Sequence, residues 1–455
     1  MKKSVCNSVF FKSSLLAGVC ALTMGGGSAF AGAFGLHEQS AEALGASFAG
    51  VAAGSGGLSA MFWNPATLTQ NGGFQVSTSG SLLIPYMSDK NTTAAAPISA
   101  LPSPGNMISP VLLPAGYLSY QINDQFWVGL SLNTPFGLST KNPVGTAPAL
   151  WGLTTSVFSE NITPQIAYRL NDWISIGAGL QVEYFEVRET NQDASAALLG
   201  GGFAADTLKG NSWGVGFTLG VDLKPMDGTD IGIGYRSQVR EGLKGSLSAV
   251  ANVLPLPGVF LVPFSASVSA PLTLPDSISV GLRQRITPTF TLLAGVEWTD
   301  WSRVQTLTVT TTSATSPAGI LATGTPIIVD QLKYKDGWMF SLGGEYKWSD
   351  AITLRAGGAY EISPISNSNR DVRLLDSNRV WLSLGASYKV SSKLKFDISY
   401  AHIFYASGTV NIPAGSTTPA LPLGYTGASS ARGDVISVGL TYRFDDPVKA
   451  VIAKY

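Results

Sequence analysis

Residues 377–405 read SNRVWLSLGASYKVSSKLKFDISYAHIFY, and the alternation in this stretch decides the fold. Val380, Leu382, Leu384, Ala386 and Tyr388 fall on one side of an extended chain, and Arg379, Ser383, Gly385 and Ser387 on the other. After a Ser391-Ser392 turn, Leu394, Phe396, Ile398 and Tyr400 repeat the pattern against Lys395, Asp397 and Ser399. A period of two with one apolar face and one small or polar face is a β-hairpin. The same pattern recurs along the chain with aromatics at the strand ends, which favours a barrel with an apolar outside and a polar inside over a soluble sandwich.

Working outward, fourteen segments of this kind run at roughly 74–86, 111–121, 125–137, 155–170, 173–187, 212–224, 230–240, 277–286, 290–310, 337–348, 351–361, 378–390, 393–406 and 434–444. Their connections alternate. Asn123-Asp124, Asn171-Asp172, Pro225 to Gly228, Thr287 to Thr289, Ser349-Asp350 and Ser391-Ser392 are brief, and between them lie long segments rich in Ala, Pro, Gly, Ser and Thr. That alternation puts every short turn on one side of a membrane and every long loop on the other. The expected fold is all-β, a 14-stranded antiparallel transmembrane barrel, with residues 73–444 as its wall. Residues 32–72 do not alternate. They hold a helical possibility at Glu38 to Phe48, glycines at 54, 56 and 57, and Asn64-Pro65-Ala66, and a lumen of fourteen strands is too wide for wall side chains to fill, so this segment is the natural plug.

Composition agrees. Charged residues make up 13% of the chain and glycine contributes 51 positions, while no uninterrupted apolar run after residue 31 is long enough for a spanning helix. Residues 1–31 read as a secretory signal, with Lys2, Lys3 and Lys12, an apolar stretch from Ser13 to Met24, and Ala29-Phe30-Ala31 as the cleavage site. Val19 before Cys20 argues against lipidation. Both cysteines, Cys6 and Cys20, lie in this leader, so disulfide and thiol chemistry are not expected in the mature chain. Removing three lysines from 29 basic residues leaves 26 against 29 acidic, and no basic patch suggests nucleic acid. Two histidines and no G-x-S-x-G segment leave neither a zinc site nor a nucleophile elbow, so no catalytic residue, metal or cofactor is expected. His402 reads as an aromatic-belt neighbour of Tyr400 and Tyr405.

Four stretches resemble the FadL family of outer-membrane long-chain fatty acid and hydrocarbon transporters. They are Gly32 to Glu38 with Ala43-Leu44-Gly45 and Asn64-Pro65-Ala66, Thr134 to Leu138, Glu297 to Ser302, and Trp381 to Tyr388. The resemblance implies a barrel closed by an N-terminal hatch (Phe34, Asn64, Pro65, Ala66), with Phe34 in its mobile part. It also implies passive uptake of a fatty acid or another hydrophobic molecule, released sideways at a kink in the third strand (Pro135, Phe136, Gly137). The residues give that kink a physical cause: Pro135 has no N–H for the ladder, and Gly137 weakens pairing. The alternatives are an aromatic or alkane channel of the same family, a general porin, and a surface receptor or adhesin.

By period 2, Arg169, Glu183, Asp222, Arg283, Arg285, Glu297, Glu345, Lys347, Arg355, Asp397 and Arg443 face inward. Arg283 and Arg355 are the candidates to meet a substrate carboxylate. Leu256, Phe260 and Phe264, in the apolar run Leu254 to Phe264, and the run Ala196 to Ala205 are candidates for a first docking groove. Beyond substrate, the expected partners are outer-membrane lipid and the barrel assembly machinery. A monomer is expected, and the tail 445–455 is left as either an assembly signal ending in Tyr455 or a periplasmic or lumenal segment.

Overall fold

In a computed structural model the chain is described over residues 32–192, 205–252, 261–315, 322–416 and 423–445. The leader 1–31, the centres of the two apolar runs (196–204 and 254–260, with Leu256 and Phe260) and residues 446–455 lie outside the described residues.

Twenty strand segments assemble into fourteen barrel strands, because six strands are broken. In chain order the strands are Phe74–Asn91, Val111–Gln121, Phe126–Asn133 with Gly137–Lys141, Thr154–Arg169, Ile174–Gln192, Ala205–Met226, and Thr229–Arg236 with Val239–Asn252. There follow Leu261–Leu274 with Ser277–Arg285, Phe290–Thr299 with Thr306–Thr315, Pro326–Gln331 with Gly337–Lys347, Ile352–Ile362, Arg379–Lys389, Leu394–Tyr405 with Gly408–Ile412, and Tyr425–Arg443. Each pairs antiparallel with its sequence neighbours, and the fourteenth closes on the first from Gln75↔Arg443 to Asn91↔Gly427. The short turns repeat one device: the side-chain oxygens of Asn123, Asn171, Thr287, Ser349 and Ser391 each accept backbone N–H groups two and three residues on.

The alternation of the twelfth strand is visible in its exposure. Val380, Leu382 and Leu384 stand out toward lipid, and Arg379, Trp381 and Ser383 are buried inside. Tyr400 and His402 do face outward, but Tyr405 does not; its hydroxyl accepts from Arg379 in the interior. Several strands run further than their sequence bounds, because small residues continue the period beyond the greasy band. Val268 and Ala266 of the eighth strand are buried while Ser265 and Ser267 are exposed. Phe264 therefore belongs to that strand, opposite Ala249, and not to a loop.

Residues 32–73 occupy the lumen. A short helix, α1 (Ala41–Leu44, capped by Ser40), is followed by three tight turns at Val51–Ala53, Gly57–Phe62 and Pro65–Gln70. Inward-facing glycines let this segment lie directly on the wall backbone. A Cβ on Gly232 would stand 1.7 Å from the Ala52 carbonyl oxygen, and one on Gly177 2.5 Å from the Ala66 nitrogen.

Candidate lateral gate and lumenal cavity

Asn64 anchors the rear of the lumenal segment. It is fully buried, its Oδ1 accepts from the Ala66 N–H at 3.0 Å, and its Nδ2 donates to the carbonyls of Ala52 (2.7 Å) and Val221 on the sixth strand (2.9 Å). Pro65 follows at the first turn position, where its missing N–H costs nothing. One amide thus joins two turns of the segment to the wall, and Ala66 is buried beneath it.

The third strand is interrupted where Pro135 and Gly137 stand. Its ladder to the second strand runs from Gln121↔Trp127 to Gly116↔Leu132 and stops; beyond the break the two meet again at one bridge, Ile108↔Thr140. Toward the fourth strand, Asn133 faces Asn161 while Gly137 faces Phe158, so the third strand carries one extra residue, a bulge. The freed backbone groups are taken up from inside. The Gly137 N–H donates to the Phe34 carbonyl and the Leu36 N–H to the Pro135 carbonyl, both at 2.8 Å, around the bridge Gly35↔Phe136. Gln39 Nε2 donates to the Thr134 carbonyl at 2.7 Å, and Ser159 serves Phe136 on both its N–H and carbonyl. The front of the lumenal segment is therefore a short strand added across the opening. The Phe34 ring packs behind it, its centroid 4.8 Å from Trp301, 5.9 Å from Phe136 and 6.3 Å from Phe185.

Two carboxylates hold the start of this strand, Glu361 accepting from the Gly32 N–H (2.8 Å) and Asp376 from the Ala33 N–H (2.9 Å). His37 sits between Glu297 (3.4 Å) and Glu361 (3.5 Å). Burial by itself would lower the His37 pKa, but those two carboxylates outweigh it and raise it to about 9. Burial pushes the neighbouring Glu38 carboxyl up to about 7, only partly countered by His37, and neither of its oxygens finds a side-chain hydrogen-bond partner among the described residues. Glu42, on α1, is the opposite case: burial would raise it, but Lys395 and Arg355 hold it below the ordinary carboxylate value.

Beside the gate lies a cavity of about 80 Å³, walled by Pro135, Phe136, Trp301, Phe62 and Met339 and by the polar groups of His37, Glu183 and Arg236. Neither candidate cation reaches it. Arg355 is buried between Glu42 (2.6 Å) and Glu345 (2.8 Å), tying α1 to the wall, and Arg283 lies lower, 3.4 Å from both Asp230 and Glu345. The arginine at the cavity is Arg236. Its guanidinium lies 4.1 Å over the Phe62 ring and donates to the Phe62 carbonyl and Gln181, with no carboxylate in ion-pair reach among the described residues. Period 2 along the seventh strand, from Asp230 through Gly232 and Gly234, places Arg236 inward and could have found it. Period 2 from Glu183 and Glu297 likewise turns Phe185 and Trp301 inward but does not show that they meet Phe34, and Gln39 carries no such signal, because its role exists only where the lumenal segment meets the kink.

Comparison with known proteins fits this geometry. The family described as "Outer membrane protein transport protein (OMPP1/FadL/TodX)" matches residues 22–444. The chain belongs to the FadL family. It is accordingly an outer-membrane transport protein. The long-chain fatty acid transport protein of Escherichia coli (strain K12) is 26% identical over 438 residues, covering 89% of this chain and 94% of that one. A Pseudomonas aeruginosa FadL homologue of known structure superposes with a TM-score of 0.77 at 24% identity, over 91% of this chain and 100% of that one. The Ralstonia pickettii toluene transporter TbuX gives 0.64 at 16%, over 88% and 98%. The last two likenesses concern the fold. The lumenal segment is the one expected from the sequence to form the hatch, and that word is used for it below.

Proposed function

We propose that this chain admits long-chain fatty acids, or hydrophobic molecules of similar shape, and releases them sideways into the membrane between the second and third strands. The carrying observation is that the wall backbone exposed at Pro135–Gly137 is bonded to the hatch, not to the second strand. Withdrawal of residues 34–36 removes two backbone hydrogen bonds and an aromatic plug, and leaves an opening at the level of the bilayer. The adjoining cavity is apolar on most sides, and each buried CH₂ contributes about 0.8 kcal/mol, so a long chain is drawn in without an energy source. Arg236 supplies a cation for a carboxylate at the polar end. The names of the Escherichia coli relative and of its homologues point to the same substrate class. A general porin fits poorly with a hatch that fills the lumen.

The test separates entry from exit. Gly137→Val puts a branched side chain at the opening, and uptake of a labelled long-chain fatty acid by whole cells should fall about tenfold, while affinity in detergent changes less than about twofold. Uptake at the normal rate in a folded Gly137→Val protein at equal surface abundance would remove the lateral route. Joint loss of binding and uptake would assign the site itself to Gly137.

A further inference from the structure

The outer face of the fifth, sixth and seventh strands changes character with height. On the sixth strand the outward positions Leu219, Phe217, Val215 and Trp213 form a continuous apolar strip on the side that faces hydrocarbon. The strip ends at an aromatic pair: Trp213 and Tyr184, opposite each other in the ladder, have ring centroids 5.2 Å apart. Aromatic girdles of this kind mark the interfaces of the apolar band. Four residues further from the short turns, the same two strands carry Lys209 and Arg188, again opposite each other and both exposed. Four residues of tilted strand rise about 10 Å, so these two cations stand above the hydrocarbon, in the headgroup layer.

Lys209 and Arg188 are a like-charge cross-strand pair with Cβ atoms about 5 Å apart, an arrangement that costs stability unless an anion lies between them. A third cation joins them. The register Lys209↔Ser246 and Asn211↔Lys244 makes Lys244 of the seventh strand a diagonal neighbour of Lys209, at about 7–8 Å. Arg240 is on the same outward face four residues lower, where a long side chain can reach the edge of the band. None of the four has an ion pair among the described residues. The neighbouring acid, Glu186, accepts from the Tyr184 hydroxyl at 2.8 Å instead. The whole chain has 29 basic against 29 acidic residues, so four cations on three adjacent strands are a local excess. Cations in two tiers about 10 Å apart, above an apolar strip, match an amphiphile that carries anions at two depths; a headgroup with one phosphate reaches only one tier.

We propose that this face holds one molecule of an acylated sugar lipid bearing several phosphates, the lipopolysaccharide class, with acyl chains along Trp213 to Leu219, a phosphate near the sugar–acyl junction on Arg240, and outer phosphates among Arg188, Lys209 and Lys244. The site lies on the outside of the wall and is separate from the gate and the lumenal cavity. Native mass spectrometry of the detergent-purified full chain tests it, with a short-core lipopolysaccharide as probe and the same lipid stripped of its phosphates as control. A chelator is present throughout, so that no divalent cation bridges the lipid to Glu186. Each variant is read on protein that keeps its heat-dependent gel shift. The intact lipid should be retained about tenfold better than the stripped one. Lys209→Gln with Lys244→Gln should erase that preference, Lys209→Arg with Lys244→Arg should keep it, and Arg240→Gln should lower it by a smaller factor. Equal retention of the intact and stripped lipids would overturn the proposal, and so would retention of phosphatidylglycerol, with its single phosphate, as strong as that of the intact lipid. Displacement by heparin as readily as by a second lipopolysaccharide would also overturn it, since charge alone would then be read and the apolar strip would be idle.

Discussion

Two of the interruptions in the barrel wall are closed by different means. Across the eighth, ninth and tenth strands the breaks at residues 275–276, 300–305 and 332–336 form a seam. Ladders continue on both sides of it. Arg303 spans the seam to Asp276 at 2.5 Å and Asp300 at 3.1 Å, and Trp301 turns into the lumen. At the third strand the ladder to the second strand ends, and the hatch supplies the missing bonds. The first closure belongs to the wall. The second belongs to a segment outside the wall, so under the proposed function the break acts as a gate only when that substitute partner detaches.

The largest effect should come from making that partner permanent. The bonds from Gly137 to Phe34 and from Leu36 to Pro135 flank the Gly35↔Phe136 bridge, so the two residues face each other as a close, non-hydrogen-bonded pair with Cα atoms about 4.5 Å apart, within disulfide range. Gly35→Cys with Phe136→Cys should cut uptake at least about tenfold when oxidised and recover it on reduction. A Cβ at residue 35 would stand 3.2 Å from Trp301, so the reduced double variant is the proper reference. Full uptake with the bridge quantitatively formed would show that the gate opens without the hatch moving.

Loosening the rear of the hatch should have a smaller effect. Asn64→Ala removes three hydrogen bonds and leaves the Val221 and Ala52 carbonyls short of a donor, at a cost of about 1–3 kcal/mol. Uptake should fall several-fold while the heat-dependent gel shift of the barrel persists. Normal uptake at equal surface abundance would detach Asn64 from the hatch's role.

The docking of residues 34–38 should also respond to pH. His37 is raised from 6.5 to about 9 when the hatch is docked, so its contribution is complete below pH 6.5 and is lost as pH rises through about 9. Glu38, raised from 4.5 to about 7, acts in the same direction: docking favours its protonated form, and that advantage is lost as pH rises toward 7. Hydrogen exchange in residues 34–38 should therefore accelerate between about pH 4.5 and 9, more than the intrinsic rate accounts for, and His37→Gln should flatten the part of that rise above about pH 6.5. An identical profile in wild type and His37→Gln would separate this histidine from docking.

The smallest effect is expected at the seam. Arg303→Ala removes two ion pairs of a partly exposed guanidinium, worth about 1 kcal/mol each at most, so uptake should stay within about twofold and thermal stability fall slightly. A large loss of uptake would give the seam a share in the gate.

Much of this was legible in the residues. Strand count, the alternation of faces and the site of the kink follow from local chemistry: Val380 and Leu382 outside, Arg379 and Ser383 inside, Pro135 without an N–H. What escaped reading depends on contacts distant in sequence. Arg283 and Arg355 look free along their own strands, and it is Asp230, Glu345 and Glu42 that occupy them. The breaks at the seam escaped as well, since Trp301 lies in a stretch that alternates well enough to pass for one strand. Phe264 was misplaced because a run of apolar residues without alternation looks the same in a loop and at the start of a strand.

The seam between the first and fourteenth strands, paired from Gln75 to Asn91, joins segments at opposite ends of the sequence, so every other strand is synthesised before it can form. The hatch immediately precedes the first strand and lies wholly inside the finished wall. The pairing of the first and fourteenth strands therefore also completes the wall around the hatch, so the two ends of the barrel sequence share the contact that makes a container of the sheet.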